Sequence, residues 1–303
     1  RLGMSLLVIG RRRRAIKVFK EMFSGEGNYR PSEILRAANE LVVAEDYEIS
    51  LEGFEKVLTQ ATADQRSLVE PALLGKGRCL LAMERHLDGV AALEEIFVKY
   101  PKTGRTVEIA MLLSGGYAEV ANKEADADKR FELFNKAVDA MNLVRRYLNS
   151  PAGRAMSDVG VGRIYELKSA AADTYGKPEK AKKYMGEAIG IYLLLVETGN
   201  ASDVTVRPHL DDSFERCVDL LIAGEHWEDA HDIANRYLEL YPSGQYKLNI
   251  RKWRTIAKSK SASSGTSTPD SAPEEKAPAE SEGGAATNSA APANADVGAG
   301  DAG

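Results

Sequence analysis

The chain has 303 residues, a formal net charge of −5, and 44% hydrophobic but only 7% aromatic residues. Seven acids and one base lie in Ser261–Gly303, so residues 1–260 carry a net charge of +1, a balance that argues against a nucleic-acid-binding body. The two cysteines are too few for a disulfide framework, and no apolar run approaches the ~20 residues of a membrane span.

The first predicted elements are two helices separated by a basic turn. Leu2, Gly3 and Leu6 fit a helix that is already under way at Arg1, so we expect the chain to be a fragment of a longer array. Arg11–Arg14 could form a nucleic-acid or targeting patch. In register with the helices, however, they fill the turn and the start of the second helix, which favours a solvated turn.

Further along, amphipathic segments alternate with segments that share a common ending. The upstream segments are Glu33–Ala44, Glu70–Met83 and Ser213–Ala223, and the downstream segments are Tyr47–Leu58, His86–Pro101 and Trp227–Pro242. Apolar residues at offsets of three and four give each helix one buried face. The Tyr-Pro dipeptides stop two of the downstream helices, because proline cannot continue a helix. The predicted unit is therefore helix, short turn, helix.

The remaining elements complete this series. A further pair is predicted over Val107–Leu148, with Gly115 in its first helix and a turn lengthened by Glu124–Lys129. Tyr246–Lys258 is predicted to be a capping helix, because a terminal repeat needs a polar outer face. Residues 259–303 are rich in Ala, Ser, Gly, Pro and acids, so we expect them to be disordered.

The helix-turn-helix unit resembles the tetratricopeptide repeat (TPR), in which a small residue of the first helix is followed twelve positions later by a small residue of the second. The pairs at this spacing are Gly3/Ala15, Ala38/Ser50, Gly77/Gly89, Ser169/Ala181 and Val218/Ala230. The resemblance covers about residues 1–258. It implies an all-α superhelical solenoid of about six TPR-like helix pairs, a capping helix and a disordered C-terminal tail. The Tyr-Pro endings are also similar to those of bacterial envelope TPR proteins, including the lipoprotein of the outer-membrane β-barrel assembly machine, which favours the bacterial cell envelope over the cytoplasm.

Histidines and cysteines offer few candidates for chemistry. His226 and His231 flank Glu228, but a zinc-protease motif needs histidines four residues apart on one helix face. Five residues turn them roughly 140° apart, and His226 falls in a turn. Cys79 and Cys217 lie on first helices of well-separated pairs, too far apart for the ~7 Å between Cα atoms that a disulfide requires. We interpret Cys79 as a small core residue.

Glycine pairs and acid pairs have structural explanations as well. Gly75–Gly77 and Gly160–Gly162 complete no phosphate-binding fingerprint and follow no strand. The first supplies a close-packing residue, and the second is predicted to mark a loose helix start. Glu94–Glu95 and Asp211–Asp212 are expected on helix surfaces or at helix starts, where acids favour the helix dipole. We therefore predict no catalytic site, no cofactor and no metal.

The best functional candidate comes from the resemblance, because the inner helices of TPR proteins line a concave groove that holds a peptide or protein. The matching positions are Asn39, Arg78, Glu119, Glu166, Asp173, Glu215 and Asp219. They predict a mixed groove, basic near Arg78 and acidic toward the C-terminal end, although each could equally be a solvated polar residue. The family's clamp for chaperone C-terminal carboxylates needs several Lys, Arg and Asn residues. Only Asn39 and Arg78 approach that pattern, so this partner class is disfavoured.

The sequence thus predicts a non-catalytic scaffold that binds a protein or peptide, but neither nucleic acid nor a small-molecule substrate. Two alternatives stay open. The chain could be a helical regulatory or substrate-recruiting region of a larger enzyme whose catalytic domain lies upstream. It could also be an RNA-binding array of helical repeats, with salt-sensitive affinity.

Overall fold

The computed structural model describes residues 2–24 and 29–264, so the part of the predicted 259–303 tail that begins at residue 265 lies outside them. Over those ranges the secondary structure is α-helical and contains no β-strand. The helices are α1 (Leu2–Val8), α2 (Arg12–Ser24), α3 (Pro31–Val43), α4 (Tyr47–Gln60), α5 (Arg66–Ala82), α6 (His86–Lys99), α7 (Thr106–Lys123), α8 (Ala127–Tyr147), α9 (Pro151–Thr174), α10 (Pro178–Thr198), α11 (Arg207–Ala223), α12 (Trp227–Leu240) and α13 (Lys247–Ser264).

The helices pack as six consecutive pairs, α1 with α2 through α11 with α12, and α13 packs against both α11 and α12. The odd-numbered helices also contact one another in succession, from α3 through α5, α7, α9 and α11 to α13. Curvature brings the inner helices of a solenoid closer together than the outer ones. The odd-numbered helices are therefore the inner row, and the predicted all-α solenoid of six pairs is confirmed for the described residues.

The small-residue pairs identified in the sequence are contact points between the two helices of a pair. The Ser50 and Ser169 hydroxyls each donate a hydrogen bond to the backbone carbonyl at the partner position, over 2.7 and 2.8 Å. A Cβ atom on Gly77 would lie 3.3 Å from the carbonyl oxygen of Gly89. Ala230, the partner position in the last pair, is completely buried. Larger side chains at these positions would separate the helices.

A Schellman motif ends the first helix in five of the six pairs. In the turn after α9, the Gly176 N–H donates to the Asp173 carbonyl over 2.8 Å, and the Lys177 N–H donates to the Ala172 carbonyl over 2.9 Å. This pattern requires a left-handed residue directly after the C-cap residue of the helix. The five left-handed residues are Gly10, Glu45, Glu84, Gly176 and Glu225, with φ between 58° and 74°. Each follows, by the same number of residues, the first member of the corresponding small-residue pair. The turns therefore give the same register of the repeats as those pairs.

The basic run Arg11–Arg14 lies in the turn after α1 and in the first turn of α2, as predicted, and all four residues are exposed. Arg12 forms an ion pair with Asp46, with its Nη2 atom 2.6 Å from Oδ1. Because Asp46 lies in the corresponding turn of the next pair, the contact joins two neighbouring turns.

The two Tyr-Pro endings share a stacking contact that the sequence analysis did not anticipate. The guanidinium of Arg66 lies 5.2 Å from the ring centroid of Tyr100, and that of Arg207 lies 5.1 Å from the ring centroid of Tyr241. Each arginine precedes its tyrosine by one repeat length. A cation over an aromatic face is attracted by the ring quadrupole, so both contacts hold the end of a second helix against the start of its own pair.

The two repeats that end in Tyr-Pro differ in the acidic residue that lies beside the arginine and in its hydrogen bonds. Glu70 is buried and accepts hydrogen bonds from Thr103 and from the arginine of its own helix, the latter over 2.7 Å. In the repeat that contains Arg207 and Tyr241, the shorter Asp211 takes the position of Glu70. Gly244 takes the position of Thr103 and offers no hydroxyl group. As a result, Asp211 Oδ1 and the Tyr241 hydroxyl are buried without a hydrogen-bond partner among the described residues. Asp211 lies near the start of α11, one of the two settings predicted for it, but it is buried and not on the helix surface.

The block formed by α8, α9 and α10 contains a buried cation. Lys168 on α9 is 6% exposed, and its Nζ atom donates to Asn135 Oδ1 on α8 over 2.9 Å. The same atom lies 4.7 Å from the ring of Tyr165 and 4.6 Å from the ring of Tyr184 on α10. Burial lowers the pKa of Lys168, and the amide and the two rings compensate its charge.

The pair Gly160–Gly162 lies in the middle of α9, so the prediction that it marks a helix start was wrong. A Cβ atom on Gly160 would lie 2.4 Å from the Met141 side chain, and one on Gly162 would lie 2.6 Å from the Tyr192 ring. These glycines therefore let α9 approach α8 and α10 closely. The cost of glycine in a helix, about 1 kcal/mol each, is offset by this packing.

Helix α13 extends to Ser264, beyond the predicted boundary at Lys258. Ile250 and Ala257 are fully buried and anchor it on the last pair. Once a helix is anchored, each added residue gains a backbone hydrogen bond without a new nucleation cost. The Ser- and Lys-rich residues after Lys258 therefore continue the helix as far as Ser264.

Candidate partner-binding groove

All seven predicted groove residues lie on inner-row helices. They are Asn39 on α3, Arg78 on α5, Glu119 on α7, Glu166 and Asp173 on α9, and Glu215 and Asp219 on α11. The exposed ones are Asn39, Arg78, Glu119 and Asp173, and the half-buried ones are Glu166, Glu215 and Asp219. The seven predicted groove residues therefore lie on helices that contact one another in succession.

In the N-terminal half, Arg78 forms an ion pair with Glu108 on the next inner helix, and Arg105 lies 3.4 Å from the same carboxylate. These residues border a cleft of about 440 Å³ that also includes Met111, which is 42% exposed. Asn39 donates a hydrogen bond to the Leu35 carbonyl of its own helix. The basic character predicted near Arg78 is therefore partly neutralised within the chain.

In the C-terminal half, Glu166 joins three helices. Its carboxylate accepts a hydrogen bond from the Tyr192 hydroxyl on α10 over 2.6 Å and lies 3.3 Å from Nη2 of Arg216 on α11. Burial and this carboxylate raise the pKa of Tyr192. Glu166 is therefore an ordered acceptor at the junction of two pairs.

Asp212 forms a second junction that the sequence analysis missed. It accepts from Arg163 on α9 over 3.0 Å and from the Tyr246 hydroxyl over 2.7 Å. Its carboxylate, with burial, raises the pKa of Tyr246 to about 12. Arg163 and Asp212 lie three residues before Glu166 and Glu215, an offset that shares one helix face. Extending the predicted stripe by one turn would have found them.

Four groove carboxylates have no ion-pair partner among the described residues: Glu119 on α7, Asp173 on α9, and Glu215 and Asp219 on α11. Burial raises the pKa of Glu215, and the neighbouring Asp219, Asp212 and Glu166 raise it further, although Arg216 opposes them. A carboxylate in this position is repelled by its neighbours in its charged form. A cation placed over this part of the groove would relieve that repulsion.

The other candidates from the sequence have ordinary structural settings. Within the described ranges, no group of three or more His, Cys, Asp or Glu side chains is placed to hold a metal ion. None of the described helices is long and apolar enough to cross a membrane. His226 directly precedes α12, in the predicted turn. Cys79 and Cys217 are free and buried, and burial raises both thiol pKa values, that of Cys217 to about 12.

Paired helices with small residues at their contact points, a repeated turn and a continuous inner row define the architecture of these repeats. The fold is TPR-like. No protein-family model and no curated protein matches the chain. Similar solved structures include TTC0263, a thermophilic TPR protein of Thermus thermophilus, which is 16% identical over 76% of this chain and 99% of its own, with a TM-score of 0.40.

Two further structures share similarity with the TPR-like solenoid. The TPR2AB domain of yeast Sti1, solved in a complex with pHSP90, is 14% identical over 85% of this chain and 96% of its own, with a TM-score of 0.29. BtubC from P. vanneervenii is 13% identical over 84% of this chain and 100% of its own, with a TM-score of 0.34. At these values the assignment of the fold rests on the helix pairs described above.

Proposed function

We propose that this TPR-like solenoid is a non-catalytic scaffold that holds a segment of another protein along its inner row. The observation that supports the proposal is the unbroken succession of inner-helix contacts from α3 to α13. A continuous face of this length suits an extended segment, since each pair can contact a few residues of the partner. All seven predicted groove residues lie on the helices of this row.

Charge along the inner row gives the scaffold a polarity. In the N-terminal half, Arg78 and Arg105 share the Glu108 carboxylate. In the C-terminal half, Asp173, Glu215 and Asp219 are left without cations of their own among the described residues. Complementary charge steers association and fixes the direction of a bound segment. We expect the bound segment to be basic where it crosses α9 and α11. The location in a bacterial envelope stays a prediction from the two Tyr-Pro endings.

A charge-reversal experiment tests the proposal. The immobilised chain captures partners from an extract of its source cells, and captured proteins are quantified by mass spectrometry. One variant carries Asp173→Lys, Glu215→Lys and Asp219→Lys. A control variant carries the same change in charge on the outer helix α12, through Glu228→Lys, Asp232→Lys and Glu239→Lys, where all three acids are exposed.

We expect the groove variant to lose proteins that both the parent and the α12 variant retain. Circular dichroism of each variant checks that the helices persist. If the groove variant retains the same partners at the same yield as the parent, the assigned face is wrong. Equal loss in both variants would mean that net charge, and not the inner row, determines capture.

A further inference from the structure

Between the turn after α9 and the end of α11 lies a cleft of about 780 Å³, here named the α9–α11 cleft. The apolar residues of its lining, here called its floor, are Ala170, Pro178, Ala181, Met185, Leu220 and Ala223. Ser169 also lines the cleft, and its hydroxyl donates a hydrogen bond to the backbone carbonyl of Ala181 over 2.8 Å. A volume of this size lies in the usual range for ligand sites, about 300–1,000 Å³.

The rim of the cleft is acidic. Glu166, Asp173, Glu179 and Glu225 border it, and Lys182 is the single basic residue of its lining. Glu166 is already paired with Arg216 of α11. The other three rim carboxylates are exposed and form no ion pair within the described part of the chain. A lining that combines apolar residues with unpaired carboxylates matches a side chain with an apolar stem and a cationic head.

The corresponding cleft between α6 and α7 shows the contrast. It has a volume of about 500 Å³ and surrounds the turn that contains Glu84. Here two of the three acids of the lining are compensated within the chain, because Glu84 lies 3.9 Å from Lys123 and Asp88 lies 2.7 Å from Arg85. The third acid, Glu124, accepts a hydrogen bond from the backbone N–H of Asp126. The α9–α11 cleft therefore has more carboxylates without a neighbouring cation than this cleft does.

We propose that the α9–α11 cleft binds a lysine or arginine side chain, flanked by an apolar residue, from the protein segment held by the scaffold. The inference rests on the proposed function and names one subsite of it. Glu166 and Asp173 are predicted groove residues on α9 and also line the cleft, so the subsite shares residues with the proposed groove. Long basic side chains lay their stems on apolar surface and keep the charge at its edge, where carboxylates form charge-assisted hydrogen bonds with them.

Methionine methyl groups offer a direct readout. Met185 lies in the floor of the α9–α11 cleft, and Met111 lies in the cleft beside Arg78. The full chain is labelled with [methyl-13C]methionine, and the Met185 signal is assigned with Met185→Leu. Two blocked peptides serve as probes, acetyl-Leu-Arg-Leu-amide and acetyl-Leu-Glu-Leu-amide, which differ only in the central residue and its charge.

We expect the arginine peptide to shift the Met185 signal to saturation and to leave Met111 unchanged, while the glutamate peptide shifts neither signal. The rim variant Asp173→Asn with Glu225→Gln should bind the arginine peptide about three- to tenfold more weakly, since an exposed ion pair contributes a factor of about five or less. The matched variant Glu84→Gln with Asp88→Asn should bind it as the parent does.

Three outcomes overturn the inference: an unmoved Met185 signal, an equal response to both peptides, and undiminished affinity in the rim variant. Because the readout needs no natural partner, its failure is separable from failure of the scaffold. If Met185 does not respond while charge reversal in the groove still abolishes partner capture, the cleft is no subsite and the scaffold stands. If the peptide binds as expected while the groove variant retains every partner, the scaffold proposal fails instead.

Discussion

Two glycines of the α9–α10 pair should respond oppositely to the same substitution. Gly176 has φ +63°, and a Cβ atom added there meets no atom within 4 Å. Gly186 lies within α10, and a Cβ atom added there also meets nothing. Packing therefore plays no part at either site, and the backbone conformation alone decides the effect of Gly→Ala.

The magnitudes follow from conformational preferences. At Gly176, alanine in the left-handed region costs about 1–2 kcal/mol, while the loss of freedom in the unfolded chain returns about 0.4–1 kcal/mol. We expect Gly176→Ala to destabilise by about 1 kcal/mol. At Gly186, alanine is preferred to glycine in a helix by about 0.8–1.0 kcal/mol, so Gly186→Ala should stabilise by about that amount. The two variants should differ by about 2 kcal/mol.

Urea unfolding followed by circular dichroism at 222 nm measures the difference. Neighbouring repeats unfold in a coupled manner, but both substitutions lie in one pair, so their transitions can be compared directly. The converse change, Glu225→Gly, should stabilise because it removes a side chain from a left-handed position. If Gly176→Ala stabilises the protein, the assignment of the turn to a Schellman motif is wrong. If Gly186→Ala destabilises it, the assignment of Gly186 to an unobstructed helical position is wrong.

Three further predictions concern single side chains. Thr103→Val removes a hydroxyl donor to buried Glu70 and should cost about 1–3 kcal/mol in urea unfolding at pH 7. Burial alone would raise the Glu70 pKa, but hydrogen bonds from Thr103 and Arg66 lower it. The cost of Thr103→Val should therefore shrink as the pH falls below the ordinary glutamate pKa of 4.5. A cost that does not change with pH would contradict the contact. Glu215→Gln should stabilise by up to about 1 kcal/mol at pH 7. Because burial and acidic neighbours raise the Glu215 pKa, this gain in stability should vanish below pH 4.5, where the carboxylate is protonated in the folded and the unfolded chain. Urea unfolding of both proteins at pH 3.5 and at pH 7 measures the gain. A gain that persists at pH 3.5 argues against a charge effect. Cys79 and Cys217 should not react with a disulfide reagent at pH 8 in the folded protein and should both react in urea, because both are completely buried and burial raises their pKa values; rapid reaction of either thiol without urea would show that its helix opens.

The contact register between the two helices of each pair was the most predictable feature of this protein, because small residues at the same spacing recur in five pairs. Ser50, Ser169 and Gly77 lie at the contacts that the spacing predicted. The turns were less predictable. Glu84 and Glu225 adopt left-handed conformations that glutamate does not favour intrinsically. Their left-handed conformation is imposed by the helix that ends before them and the helix that begins after them. It could not be predicted from the conformational preference of glutamate.

The sequence by itself determined the helical periodicity, the pairing of helices and the set of inner-row positions, because each depends on spacing along one or two helices. Only the tertiary structure decided which of those positions lack partners among the described residues. Arg78 and Glu166 are both paired to the next inner helix, whereas Glu215 and Asp173 are not. Such pairing depends on distances between side chains of neighbouring repeats, which spacing within one or two helices does not determine. For the same reason, the burial of Asp211 and the cleft between α9 and α11 became visible only when neighbouring repeats were brought together.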